Sequence, residues 1–434
     1  MRQDKQQTTD REQSRRTFFG ASAGATAAVA SALANPPQAA AQSAGVKCGD
    51  LPDLTIKEIK LYVADNTKFH HNATETGEVI SMVTNSGHEG SYTIGNRSPT
   101  PNWLAWAKTT LLGKNIIDLL PTITATSGLK ASFNFVGARK GGDSAGGGAG
   151  SWPNFYAAVA EICMWDILGK AVNRPVYQLL GGTKDRVLAY ASSADHTTVE
   201  EWAEEALRCK QEGYKAYKIH PFGMKMKPGT AEYLGHIEQI KAIRKAVGDD
   251  FILAHDPIMA YNLFEAMKVG RVLEDLDYAW YEDPIRTSDI DGLVELNRTF
   301  SIPLQVGEYL TSISGFAEYI HRGALDCVRV IADKVGGISG SMRVGMLADA
   351  FNMECTPHNF GNVAEQAVHF HLELALPNAF WYEMGYPTGQ FERPYYKEKL
   401  AIDKDGYVVA SAAPGLGYTI DHDGLDRILK RVDR

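Results

Sequence analysis

The sequence contains few cysteines, and their spacing marks no metal or redox motif. The chain of 434 residues has five cysteines, and none of them stands in a Cys-x-x-Cys pair or in the spacing of a zinc ligand set. We therefore expect buried free thiols, although an exported protein could form one disulfide. Because the count is odd, at least one thiol stays unpaired. The cysteines are Cys48, Cys163, Cys209, Cys327 and Cys355.

The chain also lacks an excess of positive charge and a long apolar run. Its formal net charge is −8 and its pI is near 5.9. No long basic stripe offsets this balance, which argues against nucleic-acid binding, and local cations would have to bind an anionic substrate. No stretch approaches the run of about 18 apolar residues that a membrane-spanning helix needs. We therefore expect a mature protein that does not enter a membrane.

The N-terminus carries the pattern of an export signal. It reads SRRTFFGASAGATAAVASALANPPQAAAQ, with Arg15 and Arg16 before two phenylalanines, then an alanine-rich stretch and small residues at 39–41 that suit cleavage. This pattern is typical of a twin-arginine signal, and the alternative is a disordered alanine-rich tail. We expect residues 1–47 to be signal and linker and the mature protein to be periplasmic.

A strand–helix rhythm fills the chain from about residue 186. Eight short runs of β-forming residues alternate with stretches whose apolar positions recur every three or four residues, as in amphipathic helices. Eight such units predict an α/β fold with a parallel (β/α) barrel of the TIM type, and a doubly wound sheet is the alternative. The runs are RVLAYAS, AYKIH, FILAHD, YAWYED, PLQVGE, CVRVIA, MECTPH and AFWYEM.

Acidic residues close three consecutive runs of this series. Asp256, Glu282 and Glu308 follow hydrophobic strands at equal intervals, which places them at adjacent strand tips on one end of a barrel. Three carboxylates so close repel one another, so a hard divalent cation would stabilise them, and oxygen ligands favour Mg²⁺ over zinc. The alternative is that each acid caps the following helix. A similar interval continues through Lys334, His358 and Glu383.

The run AYKIH places two proton-carrying groups on one face of a strand. Because strand side chains alternate, Lys218 and His220 point the same way. Taken alone, the run fits either an edge strand with a solvated face or a strand that ends in an active site. Its place in the barrel series favours the active-site strand.

Longer motifs follow one another along almost the whole mature chain. They are MWDILGKAVNRPVYQLLGG, AHDP, YEDPI, VGEYL, KVGGISG, TPHNF, WYEMGYP and PGLGYTID. In this order they resemble the enolase superfamily, and within it the mandelate racemase-like branch. The resemblance implies a modified barrel at 181–385, an N-terminal α+β capping domain at 48–180, and a C-terminal tail at 386–434 that completes the capping domain.

The resemblance also implies a chemistry, the removal of the proton α to a carboxylate. The three acids named above would hold Mg²⁺, which stabilises the charge of the enediolate. Lys218 would neutralise the substrate carboxylate, and His220 would be the acid and base, because imidazole titrates near operating pH. Glu383 would donate a hydrogen bond to the substrate carboxylate if its pKa is raised enough to keep it protonated.

One position departs from the pattern of this branch. The resemblance places His358 on the opposite face of the substrate, with an aspartate partner where this chain has Ile331. Either Asp333 or Arg329 could occupy the space instead. The departure weakens a symmetric two-base racemase and favours a one-sided reaction such as syn elimination of water.

Loops of the capping domain are expected to contact the substrate. They are residues 85–98 and the glycine-rich residues 137–152, which are typical of a lid. A solvated surface is the alternative for each candidate contact. The candidate substrate-binding residues are His88, Arg97, Arg139, Lys140, Asp333 and Lys334.

These patterns favour an Mg²⁺-dependent dehydratase that converts an acid sugar to a 2-keto-3-deoxy acid. The alternatives are a racemase or epimerase of a 2-hydroxy acid, and a cycloisomerase of an anhydro-sugar acid or lactone. A carboxylate-binding protein without catalysis that retains the metal site is a further alternative. Besides a small carboxylate substrate, the expected partners are further copies of the chain in a dimer, tetramer or octamer.

Overall fold

The structure is a computed structural model that describes residues 51–65, 76–94, 100–125, 152–224 and 231–434. Some predictions concern residues outside these ranges. They are the export signal at 1–47, Cys48, most of the glycine-rich loop, and the substrate contacts Arg97, Arg139 and Lys140.

An antiparallel sheet and several helices precede the barrel in the chain. The strands are β1 (Ile56–Asp65), β2 (Thr76–Thr84) and β3 (Glu89–Ile94), joined by the C-terminal β13 (Leu429–Asp433). The order β13-β1-β2-β3 shows that the end of the chain returns to this sheet. The helices are α1 (Thr100–Leu111), α2 (Ile116–Ala125), α3 (Trp152–Ala171), α4 (Val176–Leu179) and the late α13 (His422–Asp426).

Eight parallel strands form a nearly closed barrel, so the predicted fold class is confirmed. They are β4 (Arg186–Ser192), β5 (Ala216–Ile219), β6 (Ile252–His255), β7 (Trp280–Glu282), β8 (Leu304–Val306), β9 (Cys327–Val330), β10 (Glu354–Pro357) and β11 (Trp381–Gly385). Their order is β10-β9-β8-β7-β6-β5-β4-β11, and β12 (Tyr407–Val409) pairs antiparallel with β4. Because β4 to β10 each pair with the next strand in the sequence and β11 pairs with β4, the strands form a barrel rather than a doubly wound sheet.

The helices between the strands begin and end at residues that the sequence marks. They are α5 (Val199–Glu212), α6 (Glu232–Val247), α7 (Leu263–Asp275), α8 (Ile290–Thr299), α9 (Ile313–Arg322), α10 (Ala332–Val335), α11 (Gly337–Ala350) and α12 (Val363–Ala375). Thr198 with Glu201, and Asn262 with Glu265, form capping boxes that satisfy free backbone N–H groups at the starts of α5 and α7. Gly213 ends α5 with a φ of 104°, which favours glycine.

Burial in the barrel agrees with strands that are covered on both sides. Every residue of β5 and β9 is buried, as parallel strands flanked by helices require. The four cysteines of the described ranges are free and buried, as expected: Cys163, Cys209, Cys327 and Cys355. No helix in the described part of the chain is long and apolar enough to cross a membrane.

Candidate active site

The three predicted metal ligands lie at the carboxyl ends of adjacent strands. Asp256 directly follows β6, Glu282 ends β7, and Glu308 comes two residues after β8. Only 1%, 0% and 5% of their respective surfaces are exposed. Buried carboxylates need cations or hydrogen-bond donors nearby, because burial removes the water that would otherwise stabilise their charge.

Lys218 lies between these carboxylates. Its Nζ is 2.9 Å from Asp256 Oδ2, 3.0 Å from Glu282 Oε1 and 2.8 Å from Glu383 Oε1. Burial and the nearby Arg329 oppose its charge, but the three carboxylates raise the pKa of Lys218 well above its usual value. The last charged residue of β5 is therefore a fixed ammonium group inside the barrel end.

Arg329 is a second buried cation and contacts two of the same carboxylates. Its Nε lies 2.5 Å from Glu282 Oε1, its Nη2 pairs with Glu383 Oε2, and its Nη1 donates to the Tyr190 hydroxyl at 3.1 Å. Burial alone would raise the pKa of Glu383, but Arg329 and Lys218 lower it well below its usual range. The resemblance made the donor role of Glu383 depend on a raised pKa. Between these two cations Glu383 is an ionised carboxylate that accepts hydrogen bonds.

His220 follows β5 and has a partner at each ring nitrogen. Its Nε2 is 3.1 Å from Asp256 Oδ2, and its Nδ1 is 3.2 Å from the Ser193 carbonyl oxygen. Burial lowers the pKa of His220, but the hydrogen bond with Asp256 and its charge bring the net shift above the usual value. Since both partners are acceptors, the ring is an imidazolium in this arrangement, and the Ser193 contact fixes its orientation.

His358 and Lys334 both face the third carboxylate. His358 Nε2 and Lys334 Nζ each lie 3.8 Å from Glu308 Oε1. Burial lowers the pKa of His358 well below its usual value, so the ring is neutral at physiological pH. Ile331, at the position of the aspartate that the resemblance leads us to expect, is buried before α10, and Asp333 lies in the first turn of that helix. The carboxylate beside His358 is therefore Glu308.

Asp283 is a buried carboxyl that the sequence patterns did not single out. It follows Glu282, has no exposed surface, and neither oxygen has a hydrogen-bond partner within the described ranges. Burial raises the pKa of Asp283 well above its usual value, and the charges of Glu308, Glu282 and Asp256 add to the rise. Asp283 is therefore a protonated carboxyl in this arrangement, and it would ionise only if a cation came close to it.

A count of charges tests whether these residues fit a divalent cation. The fixed cations are Lys218, Arg329 and Lys334, whereas the carboxylates are Asp256, Glu282, Asp283, Glu308 and Glu383. With all five carboxyls ionised and His220 neutral, the surplus is two negative charges. Protons on His220 and Asp283, whose pKa values are both raised, balance this surplus, and a divalent cation would supply the same charge. Within the described ranges no three potential ligands form a ready cage. By donor type and charge, the residues fit Mg²⁺.

The remaining predicted contacts are divided between the barrel and the antiparallel sheet. Lys334 donates to the Glu308 carbonyl oxygen at 2.9 Å, so it belongs to the barrel end. His88 lies in the turn between β2 and β3, where its Nδ1 is 2.9 Å from Ser86 Oγ. The structure thus gives His88 a local partner within its own turn.

Comparison with known proteins identifies the family. The family described as enolase C-terminal domain-like matches residues 201–424, just over half of the chain. The chain belongs to the enolase superfamily. Within that superfamily the match is to the mandelate racemase and muconate lactonizing branch, which agrees with the motifs in the sequence.

Sugar-acid dehydratases are among the relatives of this superfamily member. Arabinonate dehydratase of Saccharolobus solfataricus is 33% identical over an alignment that covers 61% of this chain and 69% of that protein. L-talarate/galactarate dehydratase of Salmonella typhimurium is 30% identical, with 60% of this chain covered and 62% of the relative, less than two thirds of its length. The structure of D-glucarate dehydratase from Agrobacterium tumefaciens, complexed with magnesium, is 26% identical, has a TM-score of 0.72, and matches across 88% of this chain and 100% of that one.

Proposed function

We propose that this protein is an Mg²⁺-dependent dehydratase that converts an acid sugar to a 2-keto-3-deoxy acid. The observation that carries the proposal is the surplus of buried carboxylates at one end of the barrel, with His220 hydrogen-bonded to one of them. The homologous dehydratases support the reaction class. Dehydration by syn elimination needs only one well-placed acid and base, whereas racemisation needs one on each face of the substrate.

The metal site that we propose consists of Asp256, Glu282 and Glu308. These residues offer only carboxylate oxygens, the donors that Mg²⁺ prefers. A bound Mg²⁺ would act as a Lewis acid that stabilises the negative charge developing on the substrate carboxylate. Lys218 is proposed to bind the same carboxylate. Its three N–H donors now meet Asp256, Glu282 and Glu383, and one of them would turn to the substrate if Mg²⁺ held Asp256 and Glu282.

His220 is the proposed acid and base. If Mg²⁺ held Asp256, the contact between His220 Nε2 and Asp256 Oδ2 that makes the ring an imidazolium would be replaced. The neutral tautomer, with Nδ1–H donating to the Ser193 carbonyl oxygen, would then have Nε2 available to accept the proton from the α-carbon. The resulting imidazolium returns this proton to the departing β-hydroxyl on the same face of the substrate, and water leaves as the double bond forms. The enol product tautomerises to the 2-keto-3-deoxy acid, so atoms and charges balance.

The other site residues are proposed to orient these groups. Ionised Glu383 holds the Lys218 ammonium at 2.8 Å, so we propose that it orients Lys218 instead of donating to the substrate. Neutral His358 is proposed to face the substrate from the side of Glu308 and to hydrogen-bond a hydroxyl. The contacts proposed for the distal end of the acid are those expected from the sequence: His88, Arg97, Arg139, Lys140, Asp333 and Lys334.

A screen of sugar acids tests the proposed reaction. The purified protein is incubated with MgCl₂ and a panel of aldonic and aldaric acids, and 2-keto acids are measured by a colour reaction. We expect one or a few acids to react, and a panel with no reaction would remove the proposal. Inversion at the α-carbon in D₂O without loss of water would assign a racemase instead. Isomerisation of an anhydro-sugar acid or lactone would assign a cycloisomerase.

We also propose export through the twin-arginine pathway to the periplasm. The support is the paired Arg15 and Arg16 before an alanine-rich stretch. Replacement of both arginines by lysine should retain the full-length protein in the cytoplasm, whereas normal processing of that variant would contradict the proposal. Two further proposals also rest on the sequence alone. The domains span residues 48–180, 181–385 and 386–434, and the protein forms a homo-oligomer.

A further inference from the structure

Three phenylalanines stand around His220, and we refer to them as the aromatic wall. Phe222, Phe360 and Phe391 follow β5, β10 and β11, so all three come from loops at the carboxyl end of the barrel. The His220 ring stacks on Phe222, with centroids 6.5 Å apart and planes at 23°. Phe360 meets His220 edge to face at 5.6 Å, and Phe391 meets Phe360 in the same way at 4.8 Å.

The aromatic wall is buried at Phe391 and exposed at Phe360. Phe391 is buried against β11 so closely that a Cβ on Gly385 would lie 2.4 Å from its ring. Phe391 in turn supports Phe360, yet 37% of Phe360 is exposed. A phenylalanine ring that packs on a buried neighbour and stays partly exposed beside a proton-transfer group is the kind of apolar surface that orients small ligands in binding sites.

We propose that Phe360 selects the substrate by packing its open face against C–H groups of the bound acid, next to the carbon that His220 deprotonates. This inference rests on the proposed function and deepens it. A hydroxyl turned towards the ring would lose its hydrogen bonds to water and gain none from the ring. The favoured substrates are therefore acid sugars whose hydrogens, not hydroxyls, face Phe360 at the carbons beyond the reacting pair.

Epimeric acids provide the test. Wild type, Phe360→Ala and Phe360→Leu are assayed with pairs of aldonic acids that differ only at one carbon beyond the reacting pair. We expect Phe360→Ala to raise KM for the preferred epimer roughly three- to tenfold and to reduce the preference by a similar factor. The change in kcat should be smaller, and leucine should have an intermediate effect.

Phe351 supplies the matched control. It is also an exposed phenylalanine, 53% exposed, but it precedes β10 and so lies at the opposite end of the same strand that Phe360 follows. Phe351→Ala should leave KM and the epimer preference unchanged, and thermal unfolding should show all variants folded. An unchanged KM and an unchanged preference in Phe360→Ala, or an equal change in Phe351→Ala, would overturn the inference.

Calorimetric binding separates this inference from the proposed reaction. If the wild type turns over none of the acids, the same acids are titrated into wild type and Phe360→Ala in MgCl₂. Weaker binding to the variant supports the role of Phe360 while the dehydratase proposal fails. Equal binding, or binding to neither protein, overturns the role of Phe360.

Discussion

Arg244 and Arg329 are both buried arginines, but they lie at opposite ends of the barrel strands and meet different partners. Arg329 pairs with the carboxylates of Glu282 and Glu383 near the carboxyl ends. The guanidinium of Arg244, in α6, donates to four backbone carbonyl oxygens in the loops that precede β6 and β7. These belong to Leu276, Gly248, Phe251 and Asp277, at 2.7 to 3.0 Å.

This difference shows that buried charge has different roles at the two ends of the barrel. At the amino end the charge of Arg244 is shared among neutral carbonyl dipoles, which ties two loops together and stabilises the fold. At the carboxyl end several charges are gathered and carboxylates outnumber fixed cations. Such an arrangement is weak support for stability, since desolvation offsets much of the attraction. It is suited to a ligand that completes the charge balance.

The largest effect is expected from Glu282→Gln. This substitution removes one proposed metal ligand. It also removes the carboxylate with which Lys218 and Arg329 both form ion pairs. We expect kcat/KM to fall by roughly three to four orders of magnitude, measured as 2-keto-acid formation. Glu354→Gln is the matched control, because Glu354 is a buried carboxyl at the amino end of β10. Equal losses of kcat/KM in both variants would show that the two ends of the barrel do not differ in this way.

His220→Gln tests the proton-transfer group at the carboxyl end. We expect exchange of the substrate α-proton in D₂O, followed by NMR, to slow by about 10²–10⁴-fold, with Mg²⁺ affinity retained. His321→Gln, on the exposed last turn of α9, is the control and should behave as wild type. Persistent exchange in His220→Gln would show that another group is the base.

The two arginines can be compared directly by replacing each with methionine. Arg329→Met leaves Glu282 and Glu383 without this cation, so the free energy of unfolding should fall by about 3–5 kcal/mol, and activity should be lost. Arg244→Met should lower the free energy of unfolding by about 2–3 kcal/mol and leave kcat unchanged in the folded protein. Urea unfolding and initial rates measure both effects. Loss of activity in the folded Arg244 variant would contradict the division of roles.

Glu354 has the smallest expected effect on activity, and its contribution is to the pH dependence of stability. Burial raises its pKa from 4.5 to about 7, so the folded protein keeps this proton over a pH range in which the unfolded chain releases it. Its contribution to stability is full below pH 4.5 and is lost as pH rises through about 7, a change on the order of 3 kcal/mol.

The variant Glu354→Gln isolates this pH dependence. The unfolding free energy of wild type minus that of the variant should decrease between pH 4.5 and about 7 and then stay constant. Urea unfolding at several pH values measures the difference. A difference that does not change over this interval would show that Glu354 is ionised throughout.

The barrel could be predicted because its signals are local in sequence. Each strand is a short apolar run, each helix has its own apolar face, and the caps at Thr198 and Asn262 lie within a few residues of the helices they start. The tips of β6, β7 and β8 could be placed on one end for the same reason, since equal strand–helix repeats bring Asp256, Glu282 and Glu308 to neighbouring positions.

The charge states within the site could not be predicted in this way. Arg329 interrupts the apolar run CVRVIA, which signals a buried partner, but its partners Glu282 and Glu383 lie on β7 and β11, far away in the sequence. Whether Glu383 is protonated depends on those distances. The orphaned carboxyl of Asp283 likewise depends on which donors three neighbouring strands bring close to it.

The position beside His358 shows the same limit. Sequence spacing offered Asp333 and Arg329 as substitutes for the aspartate missing at Ile331. The structure brings Glu308 to 3.8 Å from the His358 ring, a contact that this spacing did not indicate. Spacing along one strand fixes which residues share its face, but a contact between residues that follow β8 and β10 depends on side-chain directions across the barrel.

The proposed divalent cation site is tested most directly by thermal unfolding with and without MgCl₂, in the absence of substrate. A ligand that binds only the folded protein raises the unfolding midpoint. We predict that MgCl₂ raises the midpoint of the wild type and of Glu354→Gln, and leaves the midpoint of Glu282→Gln unchanged. An equal rise in Glu282→Gln, or no rise in the wild type, would contradict a divalent cation site at the carboxyl end of the barrel.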